Sequence, residues 1–71
     1  MNQINPEKLL LSKWTARQPQ HREKHFLVTK LLRDEQERVI GCLLEAVLSR
    51  RSEQIDWRQL RESEHWQPGW R

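Results

Sequence analysis

Apolar residues fall in short runs divided by polar stretches, and most runs alternate with the two-residue period of a half-buried strand. Lys8–Ala16, KLLLSKWTA, predicts a first strand with Leu10, Ser12 and Trp14 on one face and Leu9, Leu11 and Lys13 on the other. Arg17–Lys24 contains Pro19 and no apolar side chain, so it reads as a basic loop. His25–Arg33 predicts a second strand, with Phe26, Val28 and Leu32 opposed to Leu27, Thr29 and Leu31.

The next segment carries two patterns at once. Val39, Ile40, Leu43, Leu44, Val47 and Leu48 fit a helical stripe. They fit equally a strand buried on both faces, with Ile40, Cys42, Leu44, Ala46 and Leu48 opposed to Val39, Leu43 and Val47. Glu45 and Ala46 favour the helix, while Gly41 counts against it by about 1 kcal/mol. Periodicity alone leans slightly towards helix.

Beyond it, Ser52–Ile55 is short and extended, and Asp56 with Gln59 three residues later has the spacing of a capping box. A helical turn is therefore expected over Asp56–Glu62, with Trp57 and Leu60 inward. Pro68 and Gly69 suit the two central positions of a type II turn, which would bring Trp66 and Trp70 together.

Composition sharpens this picture. A chain of 71 residues forms one domain with a thin core, and only 35% of these residues are hydrophobic. Four Trp stand beside one Phe and no Tyr, so the indoles must supply much of the burial. The single Cys42 excludes an intrachain disulfide and suits a reducing, cytoplasmic setting. No apolar run is long enough to cross a bilayer as a helix, so no membrane association is expected. The net charge of +3 is concentrated early, where Lys8, Lys13, Arg17, Arg22, Lys24 and Lys30 face only Glu23.

Five blocks also have a familiar order: Lys8–Leu10 with Ser12–Thr15, Glu23–Phe26, Leu44–Val47, Asp56–Arg58 with Leu60, and Trp66–Trp70. In that order they resemble a family of small tryptophan-rich bacterial proteins of unknown function. The resemblance runs from Lys8 to Arg71 and brings no catalytic residue with it. It implies a hairpin at Asp34–Arg38, since related sequences carry a glycine where this chain has Gln36 or Glu37. It also implies a strand, not a helix, for Val39–Arg51. Together these readings predict a mostly β domain over residues 1–71, with residues 1–7 a loose lead-in. Its sheet would be an antiparallel meander of three or four strands, followed by a short helical turn and a tryptophan-bearing tail folded over one face.

For function, the basic run points to nucleic acid. Lys8, Lys13, Arg17, Arg22, Lys24 and Lys30 would neutralise phosphates, with Trp14 or Trp70 stacking on an unpaired base. The plainer reading is that the cations serve solubility and Trp14 fills the core. A rival partner is another protein, anchored by Trp57, Arg58, Arg61, Trp66 and Trp70. Of the indoles, Trp57 is expected to be structural and Trp70 the most exposed.

His21, His25, Cys42 and His65 are the only soft ligands and lack the paired spacing of a zinc site, so no metal is expected. Nor is any catalytic residue. Cys42 lies in an apolar run that keeps a thiol inert, and Asp56 is occupied as a cap. Glu45 interrupts an apolar strand and would either pair with an arginine such as Arg58 or mark a solvated face. With only Gly41 and Gly69, there is no phosphate-binding glycine loop and no cofactor signature. A free sheet edge would leave pairing with a second copy open.

Overall fold

In a computed structural model that describes every residue from Met1 to Arg71, five strands form one antiparallel sheet. They are β1 (Lys13–Gln20), β2 (Glu23–Arg33), β3 (Val39–Ala46), β4 (Ser52–Ile55) and β5 (Trp66–Pro68). The spatial order is β4-β3-β2-β1-β5. The first four strands are the expected meander. The tail then crosses from the β4 edge to the far edge and pairs with β1, Ala16 facing Trp66 and Trp14 facing Pro68.

The segment Val39–Ala46 is a strand, and its central place explains its composition. It pairs with β2 on one side and β4 on the other, so its backbone is hydrogen-bonded along both edges. Gly41 is required there. A Cβ at that position would lie 2.7 Å from the carbonyl oxygen of Ile55, closer than the strand spacing allows.

The core lies on one face, here called the front. Trp14, Phe26, Val28, Cys42, Leu44, Ala46 and Ile55 point to it from the sheet, and Leu9 and Leu60 close it from above. Leu60 belongs to the crossover, where Trp57–Arg61 forms a 3-10 turn, not an α-helix. Asp56 caps it by accepting from the Arg58 amide at 2.9 Å. Of the expected capping box only this half forms.

Several boundaries differ from the sequence reading. Lys8 is not in a strand. Pro6–Lys8 is a 3-10 turn capped by Asn5, Leu9 is buried, and Leu10 and Leu11 are exposed before β1 begins at Lys13. The basic loop is mostly strand, because β1 runs through Pro19 to Gln20 and only His21 and Arg22 turn. Both have positive φ, 53° and 63°, as in a two-residue hairpin loop of the I′ type. The third strand stops at Ala46, and Val47–Arg50 turns back so that the Ala46 amide reaches the Arg51 carbonyl.

Two bulges reassign faces. Val28 faces Leu44 and Lys30 faces Leu43, so Thr29 is an extra residue; Leu31, not Leu32, then packs on the core. Across from it Leu32 faces Gly41 and Arg33 faces Val39, so Ile40 is extra. Val39 is buried in consequence and Ile40 is 49% exposed.

The N-terminal segment is tied down. Asn2 Nδ2 donates to the carbonyls of Leu60 and Trp66, and Glu7 pairs with Arg33 at 2.8 Å. Ile4 packs against the core.

Candidate functional site

The other face of the sheet, the rear, follows from register. Lys13 faces Leu27, which faces Glu45, which faces Ser52. Lys30 faces Leu43, and Thr15 faces His25. No layer of structure covers this face, but the last residues fold back across one end of it. Thr15 Oγ1 donates to the Gly69 carbonyl at 2.7 Å and accepts from the Arg71 amide at 2.9 Å. Gly69 has φ +81°, the value expected at the third position of a type II turn.

This turn separates the two indoles. Trp66 goes to the front, edge-on to Phe26 with centroids 5.2 Å apart. Trp70 goes to the rear, beside His25 at 6.0 Å. Its Nε1 donates to the Phe26 carbonyl at 2.9 Å, and Lys13 Nζ lies 4.8 Å from its ring centre. That arrangement fixes the ring while leaving it 43% exposed.

The remaining indoles are structural. Trp14 is 4% exposed and its Nε1 donates to Ser12 Oγ. The expectation that it stacks on a base is therefore corrected, since a ring in the core cannot meet an outside partner. Trp57 is half-buried, donates to the Val39 carbonyl at 3.1 Å, and carries the Arg58 guanidinium over its ring at 5.2 Å.

The cations divide into two classes. Arg33, Arg38, Arg51 and Arg58 each lie within 4.0 Å of a carboxylate. The six cations of the early basic run, Lys8, Lys13, Arg17, Arg22, Lys24 and Lys30, have no such partner, and neither do Arg50, Arg61 and Arg71 elsewhere in the chain. Five of these six lie along the β1–β2 hairpin, from its tip at Arg22 to Lys30 midway up β2. Lys8 is apart from them. Its neighbour Glu7 is tied to Arg33, at the other end of an 11-residue strand and so roughly 30 Å from the tip.

The one acid in the expected basic run is neutralised elsewhere. Glu23 turns to the front, nearly buried, and accepts from Arg51 at 2.6 Å and from the Ser49 hydroxyl. The Arg51 hydrogen bond, then that of Ser49, hold its carboxyl at a pKa of about 2.

Glu45 stands alone on the rear face, facing Leu27 and Ser52 with no basic partner. It does not meet Arg58, which is bound to Asp56 at 3.3 Å. Its strand position marks where the rear of the sheet meets solvent. The soft ligands are not brought together: His21 is in the hairpin turn, His25 on the rear face, His65 on the front, and Cys42 in the core. Burial, with a smaller contribution from Asp56, pushes the Cys42 thiol up to about 11, which leaves it protonated at neutral pH.

The model of a family described as a tryptophan-rich protein, DUF2389, matches residues 12–71. The chain belongs to this family. The match starts just before β1 and takes in all five strands, the crossover and the tail. Comparison with curated proteins and with solved structures gives no match. No helix of the structure is long and apolar enough to cross a membrane.

Sequence reasoning missed the groups that place Trp70. His25 and Thr15 sit on the rear face through the β1–β2 register, and Arg71 joins them through the Gly69 bend. The sole signal for this was the Pro68–Gly69 pair, which marks a turn without saying which way its flanks go.

Proposed function

We propose that this member of the tryptophan-rich family is a non-catalytic binding module for single-stranded nucleic acid in a reducing, cytoplasmic setting. The observation that carries the reading is the row of cations without a carboxylate partner, Lys13, Arg17, Arg22, Lys24 and Lys30, along one hairpin, beside the exposed and anchored ring of Trp70. A cation with no carboxylate partner is free to take a phosphate and release its counterion. A ring already held by its N–H stacks on a base at little further entropic cost. Trp14 has no part in this reading, and Lys8 is at most a remote contact.

A protein partner gripped by Trp57, Arg58, Arg61, Trp66 and Trp70 has less support, because these residues are spread over the crossover and both faces of the sheet. Fluorescence anisotropy of a labelled oligothymidylate at two salt concentrations is the test. Five phosphate contacts on a single strand give a slope of log K against log salt of about −3.5. Trp70→Ala is expected to cost about 1–3 kcal/mol of binding. No binding at the lower salt, or binding indifferent to salt, overturns the proposal.

A further inference from the structure

The front face holds a feature that the rear-face reading does not use. Three of the four indole N–H groups are spent inside the protein, on Ser12 Oγ, the Val39 carbonyl and the Phe26 carbonyl. Trp66 Nε1 has no partner, and no unpartnered polar side-chain atom of the molecule is buried, so this N–H reaches solvent. Trp66 is also one of the residues that line a cleft of about 400 Å³ between β1, β4 and the crossover. That volume lies within the range of small-molecule sites.

The chemistry of the lining selects a ligand class. Gln18, Gln20 and Gln59 present planar amides to the cleft, and Glu53 and Glu62 present carboxylates. Glu23 and Arg51 also line it but satisfy each other. Glu53 lies 3.9 Å from Arg51 and Glu62 3.5 Å from His65, which also lines the cleft; with three carboxylates against one guanidinium the lining is net negative, which disfavours phosphates and carboxylates. An indole N–H only donates, so a ligand must offer it an acceptor, and a plain ammonium cannot. Carboxylates only accept, so the same ligand must also donate. Hydroxyl groups do both and carry no charge.

We infer that the front cleft, built around the free N–H of Trp66 with Gln18, Gln59 and Glu62, binds an uncharged polyhydroxylated ligand of the sugar class. Hydroxyls of the ligand accept from Trp66 and the amides and donate to Glu53 and Glu62. The site is separate from the basic hairpin and from Trp70.

The test uses ¹⁵N-labelled full-length protein and the side-chain indole signals, with cellobiose, maltose and sucrose as probes. The Trp66 signal is expected to move saturably with at least one of them, while those of Trp14, Trp57 and Trp70 stay in place. Trp66→Phe keeps the ring against Phe26 but removes the donor, and Gln59→Leu changes an exposed side chain. Each is expected to weaken binding, followed by calorimetry, about fivefold, the value of one hydrogen bond. The inference is overturned if none of the three sugars moves the signal, or if argininamide or adenosine monophosphate moves it and the sugars do not. It is equally overturned if the two variants bind as tightly as the parent. Oligonucleotide binding by Trp66→Phe keeps this outcome apart from that of the rear face.

Discussion

The carboxylate of Glu23 joins two turns that are far apart in the chain, the β1–β2 tip and the loop before β4, through Arg51 and Ser49. Its pKa is held at about 2, below the ordinary 4.5, chiefly by the Arg51 hydrogen bond. A depressed carboxylate stabilises the fold fully above its unfolded pKa, and that stabilisation fades as pH falls from about 4.5 towards 2. Glu23→Gln should therefore flatten the acid limb of stability. Urea denaturation at pH 6 and at pH 2.5 checks this: the parent should lose more between the two than the variant, and equal losses would refute the assignment. Nothing in the sequence announced this pair, since Glu23 stood among six polar neighbours in a stretch without an apolar residue. Trp14 was more legible. An indole next to Leu9–Leu11 had filling the core as its plainer reading, and the structure places it there.

At the level of elements, alternation revealed the first two strands, but the third was read as a strand only through the family resemblance, since its periodicity leaned towards helix, and the irregularities of the sheet were not revealed at all. The acidic turn Asp34–Arg38 was legible through the resemblance, and the structure supplies its physical reason: Asp34 Oδ1 accepts from the Gln36 and Arg38 amides. Glu37 has φ 65°, where a non-glycine side chain is strained by about 1–2 kcal/mol. Glu37→Gly should raise the melting temperature slightly, the relief being partly offset by the entropy of glycine in the unfolded chain; a fall would show that the turn is not strained.

The bulges at Thr29 and Ile40 were not legible, because one extra residue on either strand leaves the apolar count unchanged while reversing every later face. The crossover was half legible. Asp56 caps as its spacing suggested, but five residues do not make an α-helix when Leu60 must reach straight down to the core. Leu60 has no exposed surface, so Leu60→Ala removes the plug of the front face. It should cost about 2–5 kcal/mol in urea denaturation, and a cost below 1 kcal/mol would mean that the crossover does not hold the core.

At the scale of the whole molecule, a body of 37 × 26 × 15 Å is one sheet with a single covered face, which makes its stability a property of the sheet and crossover together. Cys42 reports on this directly. It has no exposed surface, lies in the interior strand β3 facing Ile55, and has a thiol pushed up to about 11 by burial. Alkylation needs a thiolate that the reagent can reach, and in this sheet neither condition is met until β3 is uncovered on the front. Opening β3 means parting it from β2, β4 and Leu60, which is nearly the whole structure. Labelling of Cys42 by iodoacetamide at neutral pH should therefore track global unfolding, the logarithm of its rate rising with urea along the equilibrium m-value and rising in Leu60→Ala in proportion to the stability lost. Fast labelling without denaturant, or a rate indifferent to urea, would instead reveal a local opening at the β3–β4 edge. The sheet would then be two units joined at β3 and not one.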